Sequence, residues 1–476
     1  MAARPVDMAI DNDIQARPTD GFGLIDAARA PRGTRVQLAT AVPRVAHRLA
    51  NAGVEPGQLI AVPATHPAEL FVFLMAAARL GLAVMPLPST LTDDARADIF
   101  TTAGVDWWLP SGISATPQRV TTAAQCPEPT APTDTGLRLV VLTSGSTGSP
   151  RGVMLDANSL STMARVGNAR LGFGPRDTWL VCLPARYIGG LAPFYRCALA
   201  GATLVSLPSF DAATTLHCLR QHAVTHVSLV PAMLVALLEC GETPPPTLRV
   251  ALLGGQALDP TLASRAHAAG WPVCVTYGMS ETASHVAVDC GPAAGICPGR
   301  VGRPLDGLRV QAGTPDAPVR IRVQGATLMR GYANPARQPY RGLEDGWLLT
   351  NDLGYLDREG QLVVLGRADD VLISGGIKVH PDRLEADLGH CPDIGRVGVA
   401  GLDDPRWGQR LVAVYTGSAS VPAVAAWCQQ NLPGTLRPRA FVQVDTLPLL
   451  GSGKLDRRRL KGIAAQASHH ALAPPP

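Results

Sequence analysis

The chain is poor in charge and has almost no bias of sign. Asp, Glu, Lys and Arg make up 17% of 476 residues and leave a net charge of +4. That is too weak a field for a polyphosphate-binding surface, so no nucleic-acid partner is expected. Wholesale disorder is excluded by the 46% of hydrophobic residues. The ten cysteines include no C-x-x-C pair and no zinc spacing; in a chain of this size they read as reduced thiols of a cytoplasmic protein, not a disulfide frame. The opening stretch MAARPVDMAIDNDIQARPTDG contains acids and lacks an apolar h-region, so a secretory signal is not expected. The best membrane candidate, LFVFLMAAARLGLAVMPL, is broken by Arg79 and Gly81 into pieces too short for a span, and no membrane partner is expected. No internal repeat is visible.

What the chain does have is length and alternation. It exceeds what one core usually supports, so two or more domains are expected. TAVPRVAHRLANAG puts Val42, Val45, Ala46 and Leu49 on one helical face and stops at Gly53. QLIAVPA then reads as a buried strand, Pro67 to Leu80 as a helix and LAVMPL as the next strand, which is the grammar of a parallel α/β sheet. Residues 109–136, rich in Pro, Ser and Thr without periodicity, read as a surface loop or linker. A second α/β run follows through THVSLVPAMLVALLE, LRVALLGG and PVCVTYG. After QLVVLGR the texture changes to a hairpin, a helix near Pro381 to Leu388 and two further strands, a small α+β unit. The expected division is therefore a large α/β domain of two subdomains over 1–366, a small α+β domain over 367–466 and a frayed, disordered tail over 467–476.

Directly after the apolar run LRLVVL stands TSGSTGSPRG, residues 143–152. Glycines let the backbone turn tightly and aim successive N–H groups at one point, while hydroxyls add donors, so a strand followed by such a loop is a candidate phosphate cradle. No Gly-Lys-Ser/Thr stands at the offset a Walker A loop needs, and Arg151 is the only nearby cation. Read alone, the loop favours phosphate binding, although a surface loop after a strand would look similar.

The order TSGSTGSPRG, YGMSET (277–282), NDLGY (351–355), GRADD (366–370) and GSGKLDRR (451–458) resembles the adenylate-forming superfamily of acyl-CoA synthetases, nonribosomal adenylation domains and luciferases. The resemblance runs from about residue 38 to 462 and implies a large N-terminal domain with a small C-terminal domain that rotates on it. It implies that Thr143, Ser144, Gly145, Ser146, Thr147, Gly148 and Arg151 cradle the phosphates of ATP, and that Glu281 is a carboxylate for Mg²⁺. Gly254, Gly255, Tyr277, Gly278 and Thr282 fall at nucleotide-binding positions, Tyr277 with a ring able to stack on adenine. Asp352 and Arg367 match ribose-binding positions, although Asn351 stands where the motif usually has Gly. Asp369 matches the hinge. Lys454 matches the catalytic lysine, Thr147 and Glu281 completing the catalytic group; outside these motifs Lys454 would be a solvated member of the run GKLDRRRLK.

The chemistry implied has two halves: a carboxylate attacks ATP to give acyl-AMP and pyrophosphate, then a thiol takes the acyl group and AMP leaves. Gly375 and Gly376 in SGGIK resemble the segment lining the thiol's channel. Within the superfamily, THVSLVPAMLVALLE, LPARYIGGL, YGMSETASHVA and LPLLGSGKLDRR look most like o-succinylbenzoate–CoA ligases of menaquinone biosynthesis. Arg186, Tyr187, Gly189, Met279 and His285 fall on the acyl pocket, with Arg186 and His285 as candidate partners for a free second carboxylate. His217, His222 and His226 lack an acidic partner and are read as ordinary core or surface histidines. Expected participants are a small carboxylic acid, ATP with Mg²⁺, and CoA, in a monomer or homodimer. Alternatives are loading of a carrier-protein phosphopantetheine, a nucleotide-binding relative without catalysis, and an oxygen-using luciferase.

Overall fold

The structure, a computed structural model, describes residues 22–28, 33–110, 112, 114–120, 136–143, 151–291, 299–450 and 454–470, and the statements that follow are made of these. A seven-stranded sheet runs in the order Gly331–Tyr332, Arg151–Asp156, Leu137–Thr143, Ala83–Leu87, Leu59–Pro63, Trp107–Trp108, Gln118–Arg119. An eight-stranded sheet runs Ser284–Asp289, Val273–Met279, Val250–Leu253, His226–Leu229, Thr178–Val181, Thr203–Ser206, Gly23–Asp26, Thr34–Arg35. The middle strands of both are parallel, as expected for helices covering both faces.

One apolar cluster joins the two sheets. It takes Leu139, Val141 and Val153 from the first, Trp179, Leu204 and Cys274 from the second, and helices Pro67–Arg79, Ala157–Leu171 and Ile188–Ala200. Helix Pro67–Arg79 is buried at almost every position from Pro67 to Ala77, which is why its sequence is apolar on all sides. Phe71 stacks on Phe194 with centroids 5.1 Å apart; burying one such side chain contributes about 1.5–3 kcal/mol.

A four-stranded antiparallel sheet, Arg309–Gln311, Val319–Gln324, Leu348–Leu356 and Leu362–Arg367, completes the large lobe. The chain then crosses through the short 3-10 turn Ala368–Asp370 into a five-stranded sheet: Leu372–Ser374, Ile377–Val379, Ile394–Asp404, Gly408–Gly417 and Ala440–Gln443. Helices Pro381–Leu388, Val421–Asn431 and Arg457–His470 cover it, with separate apolar clusters on its two faces. The last helix continues through His470, into the stretch expected to be a frayed tail from 467, because Leu460 and Ala464 are buried on the sheet.

Two other expectations are corrected. Cys274 and Cys290 form a disulfide, with Cα atoms 4.3 Å apart. The antiparallel register that pairs Val275 with Asp289 sets them opposite one another, a proximity that their separation of 16 residues does not reveal. Cys182, Cys197, Cys218, Cys391 and Cys428 are free and buried, and Cys240 is free and exposed. The stretch 109–136 is not wholly irregular, since Gln118–Arg119 pairs with Trp107–Trp108; two residues are too few for periodicity to show. Among the described residues no helix is long and apolar enough to cross a membrane.

His226 belongs to the core. Its Nε2 donates to the Leu171 carbonyl at 3.2 Å and its Nδ1 lies 2.8 Å from the Thr225 hydroxyl, while Trp179 and Phe173 cover the ring. Burial pushes its imidazole down to about 4. Between that value and the unfolded value of about 6.5 the unfolded chain binds the extra proton, so His226 stabilises the fold fully above this window and loses its contribution as pH falls through it. Urea midpoints measured from pH 7 to 4.5 are expected to fall more steeply for the wild type than for His226→Gln; parallel curves would contradict this assignment.

Candidate active site

Strand Val273–Met279 turns back into Ser284–Asp289 through the 3-10 turn Ser280–Thr282, and that reversal carries most of the chemistry. Only glycine fits at 278, where a Cβ would lie 1.6 Å from the Ser284 carbonyl oxygen. Thr282 is fully buried, its hydroxyl accepting from the Met279 N–H at 3.2 Å and lying 3.0 Å from the Ser284 carbonyl. That hydroxyl serves the turn itself. The turn projects Glu281, whose Oε1 accepts from the Tyr332 hydroxyl at 3.0 Å.

Tyr277 donates its phenol to Asp352 Oδ2 at 2.7 Å. Burial and then the neighbouring Asp352 carboxylate raise the phenol well above its ordinary range, so it stays a donor. Asp352 pairs in register with Arg367 across strands Leu348–Leu356 and Leu362–Arg367, and the guanidinium Nη1 lies 3.9 Å from its Oδ1. An acceptor carboxylate oriented by a phenol and flanked by a guanidinium is suited to a vicinal diol.

Lys454 arrives from the other lobe. Its loop is clipped where the Leu450 N–H donates to the Lys454 carbonyl at 2.7 Å. A Cβ at Gly255 would lie 3.8 Å from the lysine Cε, and Gly255 itself adopts φ +84° after strand Val250–Leu253. Neighbouring Gly254 leaves room for Thr276, whose Cγ2 a Cβ there would meet at 2.9 Å. Lys454 keeps exposed surface, yet its ammonium is desolvated enough to lower its pKa, opposed by Asp352 and Glu281 and reinforced by Arg367. The cation thus lies within electrostatic reach of two carboxylates of the large lobe.

Ser144, Gly145, Ser146, Thr147 and Gly148 lie outside the described residues. The stems of their loop are in place: Thr143 and Arg151 are register partners in an antiparallel hairpin, and the Thr143 hydroxyl donates to the Arg151 carbonyl at 3.3 Å. Arg151 lies over the Tyr332 ring at 5.4 Å, so the loop's cation and the Glu281 carboxylate share one tyrosine. A single carboxylate such as Glu281 fits Mg²⁺, which keeps much of its water.

Of the residues expected at the acyl pocket, Tyr187 caps helix Ile188–Ala200 and Arg186 lies over its ring at 4.6 Å. A Cβ at Gly189 would meet Leu183 at 3.3 Å. Met279 pairs in register with Ser284, and Gly278 with His285. His285 is buried, and burial followed by the nearby Arg196 charge holds its imidazole well below the usual range. It is therefore neutral, which corrects the expectation that it supplies a cation. The cation beside it is Arg196, 1% exposed, whose Nη2 is 3.0 and 3.1 Å from the two ring nitrogens of His285. No carboxylate faces Arg196 among the described residues, its Nε has no partner, and burial lowers its pKa to about 9. Sequence reasoning missed it, although a lone charge in the apolar helix IGGLAPFYRCALA was a usable signal. Tyr332 was also missed; its two-residue strand has no periodicity to read.

Gly375 and Gly376 are not brought to these groups. They form the turn between Leu372–Ser374 and Ile377–Val379, with φ of +59° and +78°. A Cβ at Gly375 would meet the Trp407 ring at 3.1 Å, and Gly376 faces open space. Arg439 and Arg406 lie over that ring at 4.4 and 5.5 Å, an aromatic and cationic platform on the small lobe.

With this geometry in view, the comparisons with known proteins agree. Residues 24–333 match the AMP-binding enzyme family, and residues 383–454 match its C-terminal domain. The 2-succinylbenzoate–CoA ligase of Bacillus pumilus (strain SAFR-032) is 36% identical over 331 residues, 68% of each chain, and that of Bacillus subtilis (strain 168) is 33% identical over 330 residues, again 68% of each. The solved o-succinylbenzoate CoA synthetase of Bacillus subtilis with its acyl-adenylate intermediate superposes with a TM-score of 0.79 at 27% identity, over 94% of this chain and 98% of that one. The same enzyme with ATP and magnesium gives a TM-score of 0.80, also at 27% identity, over 94% and 99%. A crossing lysine, a tyrosine-oriented carboxylate and a glycine-bounded crevice thus sit on a shared fold, and this chain belongs to the AMP-binding enzyme family, in its acyl-CoA synthetase branch.

Proposed function

We propose that the protein is an AMP-forming acid–thiol ligase that activates o-succinylbenzoate with ATP and transfers the acyl group to CoA. The observation that carries this reading is the approach of Lys454 from the small lobe to Gly255 of the large lobe, within electrostatic reach of Asp352 and Glu281. In the first half, a carboxylate oxygen forms a bond to the α-phosphorus and the bond to the β-phosphate bridging oxygen breaks, releasing pyrophosphate. Two anions approach each other in this step, and the lysine ammonium offsets their charge. The hairpin loop from Thr143 to Arg151 holds the leaving phosphates. Glu281 holds Mg²⁺, which when bound neutralises phosphate charge. Asp352 and Arg367 take the ribose hydroxyls, and Gly254, Gly255 and Tyr277 wall the base. In the second half, the CoA sulfur, as thiolate, bonds to the acyl carbon, the carbon–oxygen bond to phosphate breaks and AMP leaves. For this the lysine has to withdraw, and the small lobe turns about Asp369 to bring the Gly375–Gly376 turn and its Trp407 platform forward.

The acid's identity rests on Arg196. A guanidinium buried without a carboxylate suits a substrate that brings its own, and o-succinylbenzoate keeps one carboxylate free after the other is activated. Neutral His285 stands at this guanidinium, both its ring nitrogens within reach of Nη2, and adds no charge that would compete with it.

Lys454→Ala is expected to lower ATP–pyrophosphate exchange by about 100-fold or more while leaving ATP affinity by calorimetry nearly unchanged; equal loss of both would contradict the assignment. Because the lysine pKa is lowered, the wild-type rate of acyl-adenylate formation is expected to decline with rising pH before the ordinary lysine range is reached. Arg196→Gln is expected to raise KM for o-succinylbenzoate about 10-fold or more while altering KM for a monocarboxylic benzoate analogue little. Uniform changes for both acids would remove Arg196 from substrate recognition.

A further inference from the structure

We infer that Asn351 is a positioning residue for the reaction: it latches the interlobe turn so that the small lobe is held with Lys454 in the crevice, and release of this latch sets the passage from the first half-reaction to the second. The inference rests on the two-step reading above and adds a residue to it.

The chain crosses between the lobes at one place among the described residues, the turn Ala368–Asp370 that follows strand Leu362–Arg367 and precedes Leu372–Ser374. Any rotation of the small lobe must therefore be taken up in the backbone there. Asn351, on strand Leu348–Leu356 of the large lobe, donates its Nδ2 to Asp369 Oδ2 at 2.8 Å. Its own Oδ1 accepts from Arg320 Nη2, and Arg320 is tied down again where its Nε donates to the Thr350 carbonyl at 3.0 Å. The amide is thus oriented by one lobe and spent on the turn. Arg367 Nη2 reaches the same Asp369 oxygen at 3.1 Å.

What the turn does is passed on to the lysine. Asp370, the next residue, receives Arg457 Nε at 3.2 Å, and Arg457 also binds Glu385 at 2.8 Å and Asp382. Arg457 opens helix Arg457–His470 three residues after Lys454. Asn351, Asp369, Asp370, Arg457 and Lys454 form a continuous mechanical chain. The first link is the weak one. Asp369 is 48% exposed, so its bond to Asn351 is made in competition with water and can break and reform within a turnover, whereas the Arg457 cluster is charged, multiply bonded and internal to the small lobe.

A glycine or alanine at 351 removes the latch and leaves the strand pairing intact. The experiment measures two single-turnover rates in the full-length protein, acyl-adenylate formation from o-succinylbenzoate and ATP, and thioester formation from pre-formed acyl-adenylate and CoA. It also measures trypsin cleavage after Lys454 without substrates. Asn351→Ala and Asn351→Gly are expected to speed thioester formation about three- to tenfold without speeding adenylate formation, and to speed cleavage by a similar factor. Rates that are unchanged, or that shift together, with cleavage unaltered, would overturn the latch. Should wild-type protein make no thioester from acyl-adenylate and CoA, it is the functional reading that fails, and the cleavage comparison still decides whether Asn351 restrains the lobe.

Discussion

An ammonium partly withdrawn from water gains from carboxylates near it, and in this protein those carboxylates belong to the other lobe. Lys454 is supplied by the last loop of the chain, while Asp352 and Glu281 are fixed on two different sheets of the large lobe. Desolvation works against the charge and the carboxylates oppose that effect in part, so the charge of the small lobe's lysine depends on groups of the large one. The surrounding structure serves that arrangement. Tyr277 fixes the first carboxylate, Tyr332 steadies the second, and Gly255 clears the approach.

The Arg196 guanidinium poses the opposite problem. Among the described residues it is buried without an acid, and the sulfur of Met163, the Ser284 hydroxyl, the His285 ring and the Trp179 face lie against it. Even Gly167 contributes by omission, since a Cβ there would sit 3.2 Å from the Arg196 Nε. A core built around an uncompensated cation is poorly explained by stability alone, because apolar residues of similar volume commonly do as well or better. It makes sense as half of a pair whose other half arrives with the substrate.

The parallel α/β grammar was legible because buried strands and helices of ordinary length announce themselves by period: Pro67–Arg79 and Pro381–Leu388 stand almost where the apolar spacing puts them. The motif residues Glu281, Asp352, Arg367 and Lys454 were legible as a set, and Asp352 stands beside Arg367 with Lys454 in electrostatic reach of all three. Tyr332, Trp407 and Arg196 were not, for they act through contacts between segments far apart in the chain. Tyr332 reaches Glu281 across 51 residues and Arg196 reaches His285 across 89, and no local pattern encodes such a meeting. The Cys274–Cys290 bond escaped for the same reason, being a fact of sheet register. Asn351, which looked like a blemish in its motif, gained meaning only when its amide was seen on Asp369.

The two arms of the reversal from Val273 to Asp289 are tied at both ends, by a covalent sulfur bridge at the base and by the Thr282 hydroxyl at the tip. A loop so restrained has little freedom to reshape itself for a longer, shorter or uncharged acid. On the function proposed above, tolerance of new substrates would come from the wall assigned to the start of helix Ile188–Ala200, where Arg186, Tyr187 and Gly189 stand. Laboratory diversification for altered acid preference would be best spent on that wall.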